Sequence, residues 1–428
     1  MRLRWGRRFG LAGAVVLSLM GAGTAAGETA PSPEAVIAHY ADMAQAIYGD
    51  SLTGARALQA AVDRLLAHPA PGTLDAARAA WRAARVPYLQ SEGFRFGNAV
   101  VDAWEPRVNA WPMDEGLIDY VAPSYGTQSD LNPLYALNLV AQTRIRIGAR
   151  DVDASTIDTA LLRRLQQAEG VETNVSTGYH AIEFLLWGQD LHGAGPGAGE
   201  RPATDYDLAH CTHGACARRA AYLKAAAALL ADDLAEMTAD WAPGGKARAE
   251  LLAKGPRGGL SEILTGLGSL SLGEMAGERM KLGLMLHDPE EEQDCFSDNT
   301  HNSHYYDEVG IGELWRGRYV RPDGRVMGGP GVRAYAAAAD PAAARRMDDA
   351  FAAALGHIAA IKQAADSGRM AYDQMLAPGN AEGATLISGA MDALTAQARA
   401  IETVAIALHL QVVSSRSDRT AGGGGTSP

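Results

Sequence analysis

Cysteine is scarce in this 428-residue chain, which has only three, and nothing past the first thirty residues is long and apolar enough to cross a bilayer. Strand-like alternation of apolar and polar residues is also rare, which argues against a sheet-based fold. Basic residues are outnumbered, with 38 Lys and Arg against 50 Asp and Glu. That balance argues against nucleic acid or an anionic membrane surface as a partner. The chain has no H-E-x-x-H and no G-x-S-x-G, and Phe184 stands where H-x-x-E-H would need its second histidine. The alternating glycines of HGAGPGAGERPATDY, His192 to Tyr206, follow no strand and so make no dinucleotide loop; they read as a flexible connector.

Three cysteines suit an oxidising compartment, with one disulfide and one thiol left over. Cys211 and Cys216 in HCTHGACARR are the expected pair, with Cys295 free and buried. The rival is a metal site from His210, Cys211, His213 and Cys216, whose spacing matches no common zinc module.

The chain begins as an export signal reads. Arg2, Arg4, Arg7 and Arg8 precede a short apolar core, Gly10 to Met20, and small residues follow around Ala25. Residues 1–27 are therefore expected to be a cleaved signal peptide, and the protein to be periplasmic, with the Sec and twin-arginine routes both open. Cleavage removes four arginines and no acids, moving the formal charge from −12 to about −16.

Helical spacing dominates what remains, at Pro33–His68, Leu74–Ala84, Arg218–Thr238, Pro341–Ala365 and Glu382–Leu410. The expected class is all-α, with two helical-bundle domains at 33–200 and 207–413 and a disordered tail at 414–428. Each half also carries one polar-aromatic stretch, Ser91–Tyr120 and His287–Tyr319, so a duplicated four-helix arrangement is expected. HDPEEEQD, His287 to Asp294, reads as a solvated acidic loop.

In GYHAIEFLLWGQD, Gly178 to Asp190, His180 and Glu183 stand three apart in an apolar run. A helix puts both on one face, and a helix apolar nearly all round is a buried one. Gly178, His180 and Glu183 match the G-x-H-x-x-E signature of the imelysin family. QSEGFRFG, VNAWPMDEGLIDYV, SEILTGLGSL, GEMAGERM and CFSDNTH resemble its iron-regulated protein A branch, and the resemblance runs from about Arg82 to Tyr319. It implies two helical bundles with the signature at their interface, a periplasmic or surface location and a link to bacterial iron uptake. It also brings a peptidase classification, insulin-cleaving in type, which the missing zinc motifs do not support.

An imidazole with carboxylates suits iron, zinc or manganese. The expected ligands of a divalent metal, iron first and zinc second, are His180 and Glu183, with Glu92 as third and Asp298 as fourth from the other half. His301 and His304 form a candidate second site; the alternative is a solvated helix start capped by Asn299 or Thr300. Expected partners are the metal or an iron-bearing small ligand and an outer-membrane or periplasmic protein. The alternatives are a metal-dependent peptidase and a non-catalytic adaptor in which the His180–Glu183 pair is structural.

Overall fold

Residues 30–411 are described by the structure, a computed structural model; the expected signal peptide and tail lie outside them. The first helix, α1 (Pro33–Ala67), starts where Ser32 accepts the Ala35 N–H and Pro33 opens the first turn. It is followed by α2 (Pro71–Leu89), then α3 (Gly178–Trp187) and α4 (Cys216–Asp240). These four close a ring, each packing on the next and α4 returning to α1. A second ring is built from α5 (Gly255–Gly268) with its π-helical continuation Ser269–Met280, α6 (Thr300–Arg316), α7 (Pro341–Asp366) and α8 (Ala381–Ala407). Asp340 caps α7 and Asn380 caps α8 through their side chains.

The protein is all-α, with strands confined among the described residues to two short antiparallel hairpins. Strand β1 (Arg144–Ile147) pairs with β2 (Arg150–Asp153), and β3 (Arg318–Val320) with β4 (Val326–Gly328). The expected boundary at 200–207 falls inside the first ring, because α4 packs on α1 and α3. From Pro31 onward the chain is one compact unit. The rings meet where α2 lies on α6 and α1 on α5, and one apolar core runs through both. Phe94 sits in that seam, with ring centroids 4.7 Å from Tyr40 and 5.6 Å from Trp241.

The glycine-rich connector is pinned rather than loose. Gly199 donates its N–H to Phe296 O, and Arg201 donates its own to Trp187 O. The Arg201 side chain is buried on Asp119 at 2.7 Å and Asp205 at 3.1 Å. Cys211 and Cys216 are joined, with Cα atoms 5.9 Å apart, so their sulfurs hold no metal; Cys295 is a free thiol.

Candidate metal centre

Helix α3 is buried along its whole length. Side chains of α2 tie it down: Trp81 Nε1 donates to Tyr179 O at 2.9 Å, and Arg78 Nε to Leu186 O at 3.1 Å. Its first residue, Gly178, has φ +86°, and a Cβ there would fall 2.5 Å from Val108 O. The glycine of the signature thus answers a backbone collision and a left-handed conformation together. Gly178→Ala is expected to cost about 1–3 kcal/mol of stability, read from urea unfolding. An unchanged midpoint would show that the contact relaxes freely.

His180 and Glu183 face one another, with Nδ1 3.0 Å from Oε2. The other Glu183 oxygen accepts from the Ser297 N–H at 3.0 Å and the Ser297 hydroxyl at 2.7 Å. Asp294 completes the group, its Oδ1 3.7 Å from His180 Nδ1. One donor atom from each of the three lies within 4.8 Å of the others. Metal bonds of about 2.1 Å hold neighbouring donors roughly 3.0–3.4 Å apart; the His180–Glu183 pair falls in that range and the His180–Asp294 pair lies just outside it. His180 and Glu183 come from the first ring, Asp294 and Ser297 from the stretch leading into α6.

A buried guanidinium governs the electrostatics. Arg85, on α2, donates to Asp294 Oδ1 at 2.7 Å and to Asn109 Oδ1 at 2.6 Å, enclosed by the rings of Trp81, Tyr88 and Tyr179. Burial opposes the charge on Asp294 most strongly, but Arg85 together with smaller contributions, among them the Ser303 and Asn299 hydrogen bonds, holds that carboxyl below its ordinary range. Asn299 and Ser303 donate to the second Asp294 oxygen. Burial, followed by the Arg85 charge, pushes the His180 imidazole down to about 3. Burial and then Asp294 push the Glu183 carboxyl well up. Both shifts work against charge on this pair, so the His180–Glu183 contact has more the character of a hydrogen bond than of an ion pair. His180 Nε2 is buried with no hydrogen-bond partner. Whichever ring nitrogen carries the proton, Nε2 stays unsatisfied, because Glu183 and Asp294 both face Nδ1.

The remaining expected ligands lie elsewhere. Glu92 is held by Arg279 at 2.5 Å and by Asn109 Nδ2 at 2.9 Å, so it serves as a counter-ion. Arg279 also holds Asp307 at 2.9 Å. Asp298 groups with Asp190 and Asp373 instead. His301 turns towards Asp366, 3.3 Å away, whereas His304 is buried with its ring 5.5 Å from Tyr372. The start of α6 is thus not a solvated one, and Asn299 spends its side chain on Asp294 rather than on a cap. Among the described residues, neither histidine joins a group of three ligands. Nor is His287–Asp294 a solvated loop at its end, since Glu292, Gln293 and Asp294 are all buried.

Asp294 and Arg85 are the residues that the sequence reading missed. The available signal was Arg78, Arg82 and Arg85, spaced four and three apart along α2 and thus on one helix face, where buried cations need acids.

The family model described as imelysin, peptidase M75, matches residues 44–401. The chain belongs to the imelysin family. Among solved structures it is similar to one from Parabacteroides distasonis, described as a candidate iron-regulated protein A precursor. The two are 18% identical over 90% of this chain and 97% of that one, with a TM-score of 0.63. At that identity the likeness shows the shared helical fold. No curated protein matches this imelysin chain.

Proposed function

We propose that this imelysin protein is exported to the periplasm and binds a divalent metal ion, iron first, or an iron-bearing ligand, in bacterial iron uptake. The observation that carries the reading is the convergence of His180 Nδ1, Glu183 and Asp294 from both rings on one buried point. One nitrogen and two oxygens suit iron, manganese or zinc, and the metal would act as a Lewis acid or as cargo. His180 would stay neutral and ready to ligate, while Ser297 orients Glu183 and Arg85 orients Asp294. The N-terminal charge pattern and the Cys211–Cys216 disulfide support an oxidising compartment.

The structural alternative also has an observation in its favour: both Asp294 oxygens and one Glu183 oxygen already accept hydrogen bonds. In that reading the group is a clasp between the rings. The peptidase reading has less support. Position 184 is a buried phenylalanine, and one Glu183 oxygen is occupied by Ser297 and the other by His180, so it is poorly placed to act as a base.

Elemental analysis of protein taken from its own periplasm separates these. About one iron, zinc or manganese per chain is expected, and His180→Ala and Glu183→Ala should each abolish it while keeping a cooperative helical fold. A parent protein carrying no metal after loading with ferrous ion would leave the clasp as the function of the motif.

A further inference from the structure

A second group of acids lies apart from His180. Asp190 follows α3, Asp298 sits in the turn before α6, and Asp373 lies in the short helix Tyr372–Leu376 between α7 and α8. One oxygen from each lies within 4.8 Å of the others. Glu292, only 1% exposed, lines the same small hollow as Asp190 and Asp373. Neither Glu292 oxygen has a hydrogen-bond donor of normal geometry, and neither has either oxygen of Asp373, itself 2% exposed and with only its own backbone N–H nearby. The Thr300 hydroxyl lies close enough to favour the Glu292 anion but makes no hydrogen bond of normal geometry. Asp298 accepts the Gly197 N–H at 3.1 Å through one oxygen and leaves the other buried and unpaired. The basic groups at hand are His192, 2.8 Å from an Asp190 oxygen and partly exposed, and Arg82, whose charge acts on Asp298.

Five buried carboxylate oxygens without a donor of normal geometry are costly, since like charges repel and each oxygen has lost its water. We propose that Asp190, Glu292, Asp298 and Asp373 form a second cation site, for a hard divalent ion of the calcium class. The grouped donors are all carboxylate oxygens, with the Cys295 thiol lining the hollow outside the group and His192 engaged by Asp190, a set that favours a hard ion over the iron and zinc suited to the His180 group. Calcium takes six to eight oxygens in flexible geometry and accepts carboxylates through one or both oxygens. Waters in the hollow beside Cys295 would complete its shell. The ion would bridge the loop after α3 to two segments of the second ring. Ser297, which orients Glu183, directly precedes Asp298, so the same turn serves both sites.

A simpler state of the same residues is a proton shared between the facing carboxyls of Glu292 and Asp373. Titration calorimetry on the chelator-stripped, signal-free chain with calcium chloride, then magnesium and manganese chloride, decides between them. One calcium per chain is expected, with the stoichiometry kept in His180→Ala. Asp190→Asn, Asp373→Asn and Glu292→Gln should each weaken calcium binding by at least ~10-fold. A parent that binds none of the three ions overturns the site. So does Glu292→Gln that melts higher in chelator with calcium binding unchanged, which is the shared proton's signature. Should Glu292→Gln fail to fold, Asp190→Asn decides: its side chain is 10% exposed and less deeply enclosed than Glu292, and parental calcium affinity in that variant overturns the proposal.

Discussion

Arg85→Ala is expected to lower the unfolding free energy by about 3–5 kcal/mol, the largest loss of any single substitution near the candidate centre. The guanidinium is wholly buried, and its partner Asp294 is 0% exposed. Deleting the cation leaves an ionised carboxylate in a closed site, held only by Asn299 and Ser303. It also opens a cavity among Trp81, Tyr88 and Tyr179. The pairing alone is not what makes the loss large, because desolvation offsets much of the attraction in any buried pair. A double-mutant cycle separates the two contributions. Arg85→Met with Asp294→Asn removes both charges, and its loss should be markedly smaller than the sum of the single losses. Urea unfolding gives each value. A loss below about 1 kcal/mol in Arg85→Ala, or additive single losses, would mean that water reaches Asp294 and the network is not closed.

The same pair marks the limit of what the sequence discloses. The helices were legible because alanine-rich spacing is local: the spacing at Pro341 and Glu382 begins within a residue of where α7 and α8 start. His180 and Glu183 were legible because they share one turn of one helix, inside a signature whose glycine has a local backbone reason. Asp294 was not, because its neighbourhood reads as three glutamates after a proline, a pattern that normally faces water. Its burial is decided by Arg85, more than two hundred residues earlier, and no local period carries that pairing. Glu92 was misplaced for the same reason. Its nearest cation is Arg279, brought up by the π-helical continuation of α5, and Gly266 allows the approach. A Cβ at Gly266 would lie 2.1 Å from Gly93 O, so the turn bearing Glu92 rests directly on α5. At 200–207 glycine and proline mark a change of direction, and there the chain turns back to close the first ring with α4.

Metal should stabilise the whole protein, and the increment should require a residue from each ring. A ligand that binds only the folded state adds about 2.7 kcal/mol at a free concentration one hundred times its Kd. Thermal and urea unfolding of the parent, with and without ferrous or zinc ion, should show that gain rising with free metal. His180→Ala removes a first-ring ligand and Asp294→Asn a second-ring one, and the gain should vanish in both. The readout is the increment rather than the midpoint, because Asp294→Asn also strands Arg85 and lowers the baseline. Asp298→Asn should keep the full iron or zinc increment, since Asp298 stands with Asp190 and Asp373 rather than with His180. Glu92→Gln should keep it too, while losing baseline stability through Arg279. If Asp294→Asn responds to metal as the parent does, the ion is held by the first ring alone, and the second ring contributes only the Ser297 contact to Glu183. If Asp298→Asn loses the response instead, the turn before α6 presents a different acid to the metal, and Asp294 is only the counter-ion of Arg85.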